Sequence, residues 1–263
     1  MSLFRAWLTG IPAYLWSGWG AIASLFLLLA AWEGVSLAYG SLILPDPAST
    51  IAKLRDLFAS GAAWPELVTT ARRAMAGLAL AILAGSLLGL AAGVSMTASM
   101  MSRPLVTVLL GMPPIAWLVL AMLWFGVGDG TPVFTVFIAC FPVVFSGALQ
   151  GARTLDHHLK DMARVFRLPA RMRLSDLYLP HVVSYLFPAW INALGTSWKV
   201  VVMAELLSSS DGIGAALAVS RSHLDMEATL AWVAAVVLAL LAVEYLLLEP
   251  IKREVERWRE VDA

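Results

Sequence analysis

Six stretches of this 263-residue chain are each apolar over about the 20 residues that a helix needs to cross a bilayer. They are Gly20–Ala38, Ala74–Ser95, Pro104–Phe125, Pro132–Leu149, Val182–Val202 and Ala228–Leu248. In hydrocarbon, every backbone N–H and C=O must be satisfied within the protein, so each stretch is expected as an α-helix. Charged residues make up 14% of the chain, against about 25% in an average soluble domain. That is too little charge to cover a water-facing surface. The expectation is an all-α integral membrane protein with about six transmembrane helices. The first stretch is longer than the apolar region of a signal peptide and is expected to be retained. The longest connection, Tyr39–Arg73, leaves no room for a soluble domain. The net charge of zero gives no argument for a nucleic-acid partner.

Basic residues set the orientation. With a cytoplasmic N-terminus, twelve of the 18 Lys and Arg residues fall inside and five outside, while Lys199 lies within a span. Both termini are therefore expected in the cytoplasm. The outer loop "LPDPASTIAKLRDLFASG" offers Asp46 as an N-cap, Pro47 at the first helical position and Gly61 beyond the end. Ile51, Leu54, Leu57 and Phe58 share one face of that helix. It either lies on the membrane surface or packs against the protein's own spans. The lone Cys140 sits in an apolar run and reads as a small packing residue. Glu33 and Glu244, near span ends, read as interface residues.

The cytoplasmic loop 154–180 is unusual for its charge. Lys160, Arg164, Arg167, Arg171 and Arg173 lie between two apolar spans. Leu155, Leu159, Met162, Val165 and Phe166 recur at helical spacing, and Leu168-Pro169 breaks the run. A second short helix is expected at about Ala170–Tyr178. The result is a helix–turn–helix on the membrane surface, either a basic loop held against anionic lipid or a docking site for a partner.

This loop resembles the EAA loop of ABC importer membrane subunits, which reads E-A-A, three residues, G, nine residues, I-x-L-P. Asp161-Met162-Ala163 takes the E-A-A position, with Arg164 following. Arg167 takes the glycine, Leu177 the isoleucine and Leu179-Pro180 the terminal pair. Asp161 keeps a carboxylate, whereas Arg167 replaces a residue that turns without steric cost, leaving Pro169 as a substitute source of the break. "MPPIAWLVLAMLWFGVGDG", residues 112–130, is similar to the nitrate/sulfonate/taurine branch in Pro113, Ala116, Trp117, Trp124, Phe125, Gly126 and Gly128, but has Val119 where the branch has proline. "LPDPAST" and "SWKVVVMAELL" resemble the same branch. The resemblance runs from about residue 43 to 249.

It implies a single permease domain over 1–263, with an extra N-terminal helix at about 20–38 and a five-helix core at about 74–248. The coupling helix would lie between the fourth and fifth helices. The chain would be the membrane-spanning subunit of a type I ABC importer in a bacterial cytoplasmic (inner) membrane, forming a path for a small anion such as a sulfonate, taurine or nitrate. Its implied partners are a second copy of this chain, two ATPase subunits and an extracytoplasmic solute-binding protein, besides membrane lipid. This chain would bind no cofactor; ATP and Mg would sit on the ATPase.

The candidates for the path are Pro113, Pro114, Trp117, Trp198, Lys199 and Glu205. Two prolines at 113–114 leave carbonyls without helical partners, either in a packed kink or against a water-filled cavity. A lysine at the bilayer centre costs about 2.5–3.5 kcal/mol on insertion scales. Lys199 therefore either snorkels to the interface, pairs with a buried charge or faces a path. Glu205 lies about 240° around the helix from Lys199, so the two do not share a face. No G-x-x-x-x-G-K-[ST] phosphate loop occurs, so an ATPase must be another polypeptide. His157-His158 has no neighbouring acidic or cysteine ligands and reads as a solvated pair rather than a metal site. The alternative, a self-contained secondary transporter or channel, would favour repeated halves, and the sequence has no internal repeat.

Overall fold

The computed structural model describes residues 23–155, 157–243 and 245. Both termini, the first residues of the first expected span, the last of the sixth and Glu244 lie outside the described residues. The described residues begin with α1 (Ala23–Tyr39). There follow α2 (Pro47–Ala59), α3 (Ala63–Val94), α4 (Met96–Gly111), α5 (Pro114–Phe125) and α6 (Gly130–Arg153). Next come α7 (His157–Val165) and α8 (Ala170–Met172), which runs through wide π-type turns (Arg173–Tyr178) into α9 (Leu179–Ser208). α10 (Ile213–Ser222) and α11 (Met226–Ala242) complete the described chain. No strand occurs among the described residues, and the fold is that of an all-α integral membrane protein.

Among the described residues α3 and α6 are each long and apolar enough to cross a membrane alone, whereas α4–α5 and α9–α10 reach that length only as bent pairs, each either a broken span or a re-entrant loop. α1 and α11 are shorter apolar helices. Two boundaries differ from the sequence expectation. Residues 63–73, expected within a loop, form the first turns of α3. Pro65 is tolerated there because first-turn amides need no helical acceptor, and Glu66 suits the positive end of the helix dipole. At 32 residues α3 spans about 48 Å, more than a hydrocarbon core, so its polar first turns stand beyond the apolar part. The stretch Pro104–Phe125 is not one helix. Pro113 and Pro114 disfavour helix in the residues before them, Met112 and Pro113 are extended, and the axis turns by 94° between α4 and α5.

The core is a seam of small residues. Gly77, Ala81, Gly85, Gly89 and Gly93 recur every fourth position of α3 and so share a face. They meet Val136, Val144, Ala148 and Ala152 of α6, whose inner positions also repeat every fourth residue. Within lipid no hydrophobic force drives helices together, so close backbone approach and dispersion contacts must do it. A Cβ added at Gly77 would lie 2.6 Å from the Val133 carbonyl oxygen, and one at Gly85 2.9 Å from Val144 Cβ. The other side of α6 packs on α9, where Gly147 admits Ala189 and the buried Cys140 Sγ lies 3.3 Å from the Ala193 carbonyl. α6 is thus the middle helix of three.

A second, smaller core answers the question left open for α2. Leu54, Leu57 and Phe58 pack with Ala63, Ile213, Trp232 and Ala235, and Lys53 pairs with Asp225 at 3.6 Å. The helix is capped as the sequence indicated, Asp46 accepting from the Ser49 amide at 3.0 Å. It rests on the protein's own α10 and α11. α1 is tied in by Trp32, whose Nε1 donates to the Pro45 carbonyl at 2.9 Å.

The seam predicts a steep size dependence at Gly89, whose added Cβ would press on the Phe145 carbonyl. Gly89→Leu should destabilise the subunit by about 1–3 kcal/mol or more through overpacking. Gly195→Ala, where an added Cβ meets nothing within 4 Å, should change little. Thermal unfolding of both variants in detergent checks the contrast.

Candidate functional site

The 154–180 loop folds as two short helices joined at Arg167. α7 ends in a Schellman motif: the Leu168 amide donates to the Ala163 carbonyl at 3.0 Å and the Arg167 amide to the Arg164 carbonyl at 3.1 Å. Closing those bonds requires a left-handed residue, and Arg167 has φ +49. The position aligned with a glycine therefore keeps the glycine's conformation, at a cost of about 1 kcal/mol for a residue with a Cβ. Pro169 does not replace that turn. It precedes α8, and its carbonyl accepts from the Arg173 amide at 3.0 Å.

Around this turn the surface is apolar with a basic rim. Met162, Val165, Phe166, Met172 and Leu179 are exposed, Phe166 by 72%, and Leu177 is half-buried. Arg164, Arg167, Arg171, Arg173 and Pro180 are exposed. Asp161 is exposed too and pairs with Arg164 at 3.0 Å. Ala163 is 1% exposed. Its small size serves packing within this chain rather than approach to a partner.

The candidates for the path divide. Pro113 is exposed and Pro114 half-buried at the α4–α5 break. Trp117 is half-buried and Trp198 buried, and the indole N–H of each is buried without a hydrogen-bond partner. Such a donor ordinarily finds an acceptor. Lys199, next along α9, is exposed. Glu205 is not part of this group, which corrects its placement on the path. It is fully buried and belongs to a polar cluster at the opposite end of the bundle from α7.

That cluster centres on Arg73, which is 2% exposed. Its Nη1 donates to Glu205 Oε1 at 2.9 Å and to the Asp211 carbonyl at 2.8 Å. Nη2 donates to Asp211 Oδ1 at 2.6 Å, and Nε to Asp129 Oδ1 at 2.7 Å. Glu205 also accepts from Thr70 Oγ1 at 2.7 Å and the Gly214 amide at 3.2 Å. Thr70 Oγ1 in turn accepts from the Ile213 amide at 2.9 Å, and Glu66 accepts from the Gly212 amide. Arg72 holds the other Asp129 oxygen at 2.6 Å. Gly212 (φ +95) leaves no room for a side chain, because an added Cβ would overlap the Glu205 carboxylate. One guanidinium thus joins α3, the turn before α6, the end of α9 and the start of α10.

Sequence reading missed this clamp because it sought a partner for Glu205 only in Lys199. A signal was present: an acid in or beside an apolar span is normally paired, and Arg73 immediately precedes the apolar run that begins at Ala74. Among the described residues no group of three or more His, Cys, Asp and Glu side chains is arranged to hold a metal ion.

Residues 77–249 match the family described as binding-protein-dependent transport system inner membrane component. The chain belongs to that family. It is 26% identical over 245 residues to a taurine transport system permease protein of Escherichia coli, covering 90% of this chain and 89% of that protein. It is 26% identical over 204 residues to a nitrate import permease protein of Synechococcus elongatus, covering 73% of each. A Bacillus subtilis protein, provisionally named an aliphatic sulfonates transport permease, is 27% identical over 210 residues, 79% of this chain and 72% of that protein. The nitrate/sulfonate/taurine branch suggested by residues 112–130, "LPDPAST" and "SWKVVVMAELL" is the branch these relatives represent. The match begins four residues after Arg73, so it contains Glu205, Asp129 and Asp211 but not the arginine that joins them.

The clamp predicts asymmetric effects of substitution. Arg73→Met alone should destabilise this inner-membrane component by about 3–5 kcal/mol, because Glu205 is left as a buried unpaired charge. Arg73→Met combined with Glu205→Met should recover much of the loss. Thermal unfolding of the single and double variants measures the difference.

Proposed function

We propose that this chain is the membrane-spanning subunit of an ATP-driven, binding-protein-dependent importer for a small anion of the sulfonate, taurine or nitrate type. Two copies form the path, two separate ATPase subunits dock on residues 160–180, and an extracytoplasmic binding protein delivers the solute. Both termini and the 154–180 loop lie in the cytoplasm. ATP and magnesium bind the ATPase, not this chain.

The observation that carries this reading is the exposed ridge of Met162, Val165, Phe166 and Met172 between arginines, set on a turn whose spacing matches the EAA loop. A loop serving only as a lipid anchor has no need of a fixed Schellman turn. The relatives named for taurine, sulfonates and nitrate support an anionic solute. Lys199 is the cation for it. It is exposed beside Trp198, whose indole N–H lacks a partner, on a helix that leads directly from the docking loop. Pro113, Pro114 and Trp117 border the same path at the broken helix. Closure of the ATPases moves the two copies between inward- and outward-facing states, and each state is favoured only by its differential affinity for nucleotide or loaded binding protein.

Reconstitution with the ATPase and binding protein in proteoliposomes tests the reading. Uptake of taurine, methanesulfonate or nitrate should require ATP. Lys199→Met should lower uptake by about tenfold, the value of one charge-assisted contact, with basal ATP hydrolysis unchanged, and Lys199→Arg should retain part of it. Uptake by the Met variant at the wild-type rate would remove Lys199 from the path. Failure of all three solutes, two anions and the sulfonate-bearing zwitterion taurine, to enter under ATP would overturn the assignment of an anionic group as the recognised feature.

A further inference from the structure

At the α7 end of the bundle, α4 and α6 border a cavity of about 440 Å³ whose charged lining has one sign. Arg103 comes from α4 and Arg153 from the last turn of α6, with Gln150 and Thr154 beside them, and no carboxylate lines the space. Arg153 is held in place by the buried Ser99, to whose Oγ it donates, and by the Met96 thioether at 3.3 Å. Neither neighbour neutralises it, and a guanidinium offers five N–H donors, more than these two contacts use. Arg103 enters no ion pair among the described residues; the charge pairs lie at the clamp, in the 154–180 loop and beside α2.

The hydroxyls bordering this space do not compete for the arginines. Thr107 donates to the Arg103 carbonyl at 2.9 Å, Ser146 to the Pro142 carbonyl at 2.7 Å and Thr154 to the Gln150 carbonyl at 2.8 Å. Gln150 also borders a neighbouring cavity of about 480 Å³, which it shares with His181 and Ser184. His181 Nε2 is 3.2 Å from Thr154 Oγ1, so a third basic side chain stands at the boundary between the two spaces. Arg103 on α4 and Arg153 on α6, both exposed, line this one space, so an anion entering it meets two positive charges. Their planar forks suit an acceptor with two or more oxygens.

We propose that this cavity binds an oxyanionic group, a sulfonate, sulfate or phosphate type, held by Arg103 and Arg153 with the Gln150 amide. Its use as the last station of an imported anion rests on the importer reading; its oxyanion chemistry stands on the lining alone. A free anion and a phospholipid head group share that chemistry, and the two arms of the test separate them.

The full-length chain is placed in nanodiscs of phosphatidylcholine, and binding of radiolabelled sulfate and methanesulfonate is measured by equilibrium dialysis. In parallel, phosphatidylglycerol retained by the chain is measured by native mass spectrometry. Saturable binding of either small anion assigns the site to a free solute. Retention of phosphatidylglycerol alone assigns it to a head group. In both cases Arg103→Gln should weaken binding by about tenfold or more, Arg103→Lys should keep part of it, and Arg55→Gln on the exposed face of α2 should leave it unchanged. Arg103 is the decisive position because Arg153 also anchors α4 through Ser99. No binding of any of the three probes, or equal binding by wild type and the Arg103→Gln, Arg153→Gln double variant, overturns the proposal. Anion binding without ATP-dependent uptake would leave this site standing and remove the importer reading instead.

Discussion

One buried arginine organises the end of the molecule opposite α7. Desolvating a guanidinium and a carboxylate costs several kcal/mol per ion, and Arg73 and Glu205 are 2% and 0% exposed. The cost is offset because every acceptor around the guanidinium carries negative charge or a carbonyl dipole, and because Glu205 has further donors in Thr70 and Gly214. The geometry demands that four chain segments meet. Without Gly212 the carboxylate would have no space, and without the extension of α3 beyond the hydrocarbon Arg73 would not reach. Below this clamp the small-residue seam lets α3, α6 and α9 run in close contact toward the other end.

The two ends therefore differ in kind. The clamped end is closed by buried charge pairs and by α2 packed over α10 and α11. The α7 end is open: its helices are short, its apolar side chains face outward, and the cavity between α4 and α6 is lined by Arg103 and Arg153, neither of which enters an ion pair among the described residues. In the proposed importer this asymmetry has a use. Force applied to α7 and α8 passes through the π-type turns at Arg173–Tyr178 directly into α9, the helix that carries Trp198 and Lys199 and ends at Glu205. A helix fixed at one end and pushed at the other can change the space along its length without separating from the bundle.

Much of this was legible in the sequence because its signals are local. Apolar length gave the all-α membrane class, Asp46-Pro47 the start of α2, and Pro113-Pro114 the disturbance in the third stretch, although the full 94° turn follows from two consecutive prolines acting on the residues before them. The spacing from Asp161 to Pro180 set Arg167 against the glycine of the EAA loop, and Arg167 has the left-handed backbone a glycine would take there. What escaped was non-local or conformational. Arg73 and Glu205 are 132 residues apart, and no periodicity connects them. Arg72-Arg73 was read as the end of a loop because charge usually marks one, whereas here it marks the part of a helix that stands above the apolar core. At Arg167 the residue type argued for a changed turn, yet the hydrogen bonds of the Schellman motif impose the left-handed conformation whatever side chain stands there.

The central claim is that the apolar ridge at the Arg167 turn is the contact through which an ATPase acts on this chain. Phe166, exposed by 72%, is its most accessible aromatic residue. In a Cys140→Ala background, which removes a cysteine buried in the α6–α9 contact, Phe166→Cys should be cross-linked by a short bis-maleimide to a cysteine placed in the groove of the co-expressed ATPase. The yield should change when ATP is trapped by vanadate. An assembled complex that hydrolyses ATP yet gives no cross-link from residue 166 to any position on the ATPase would contradict the account.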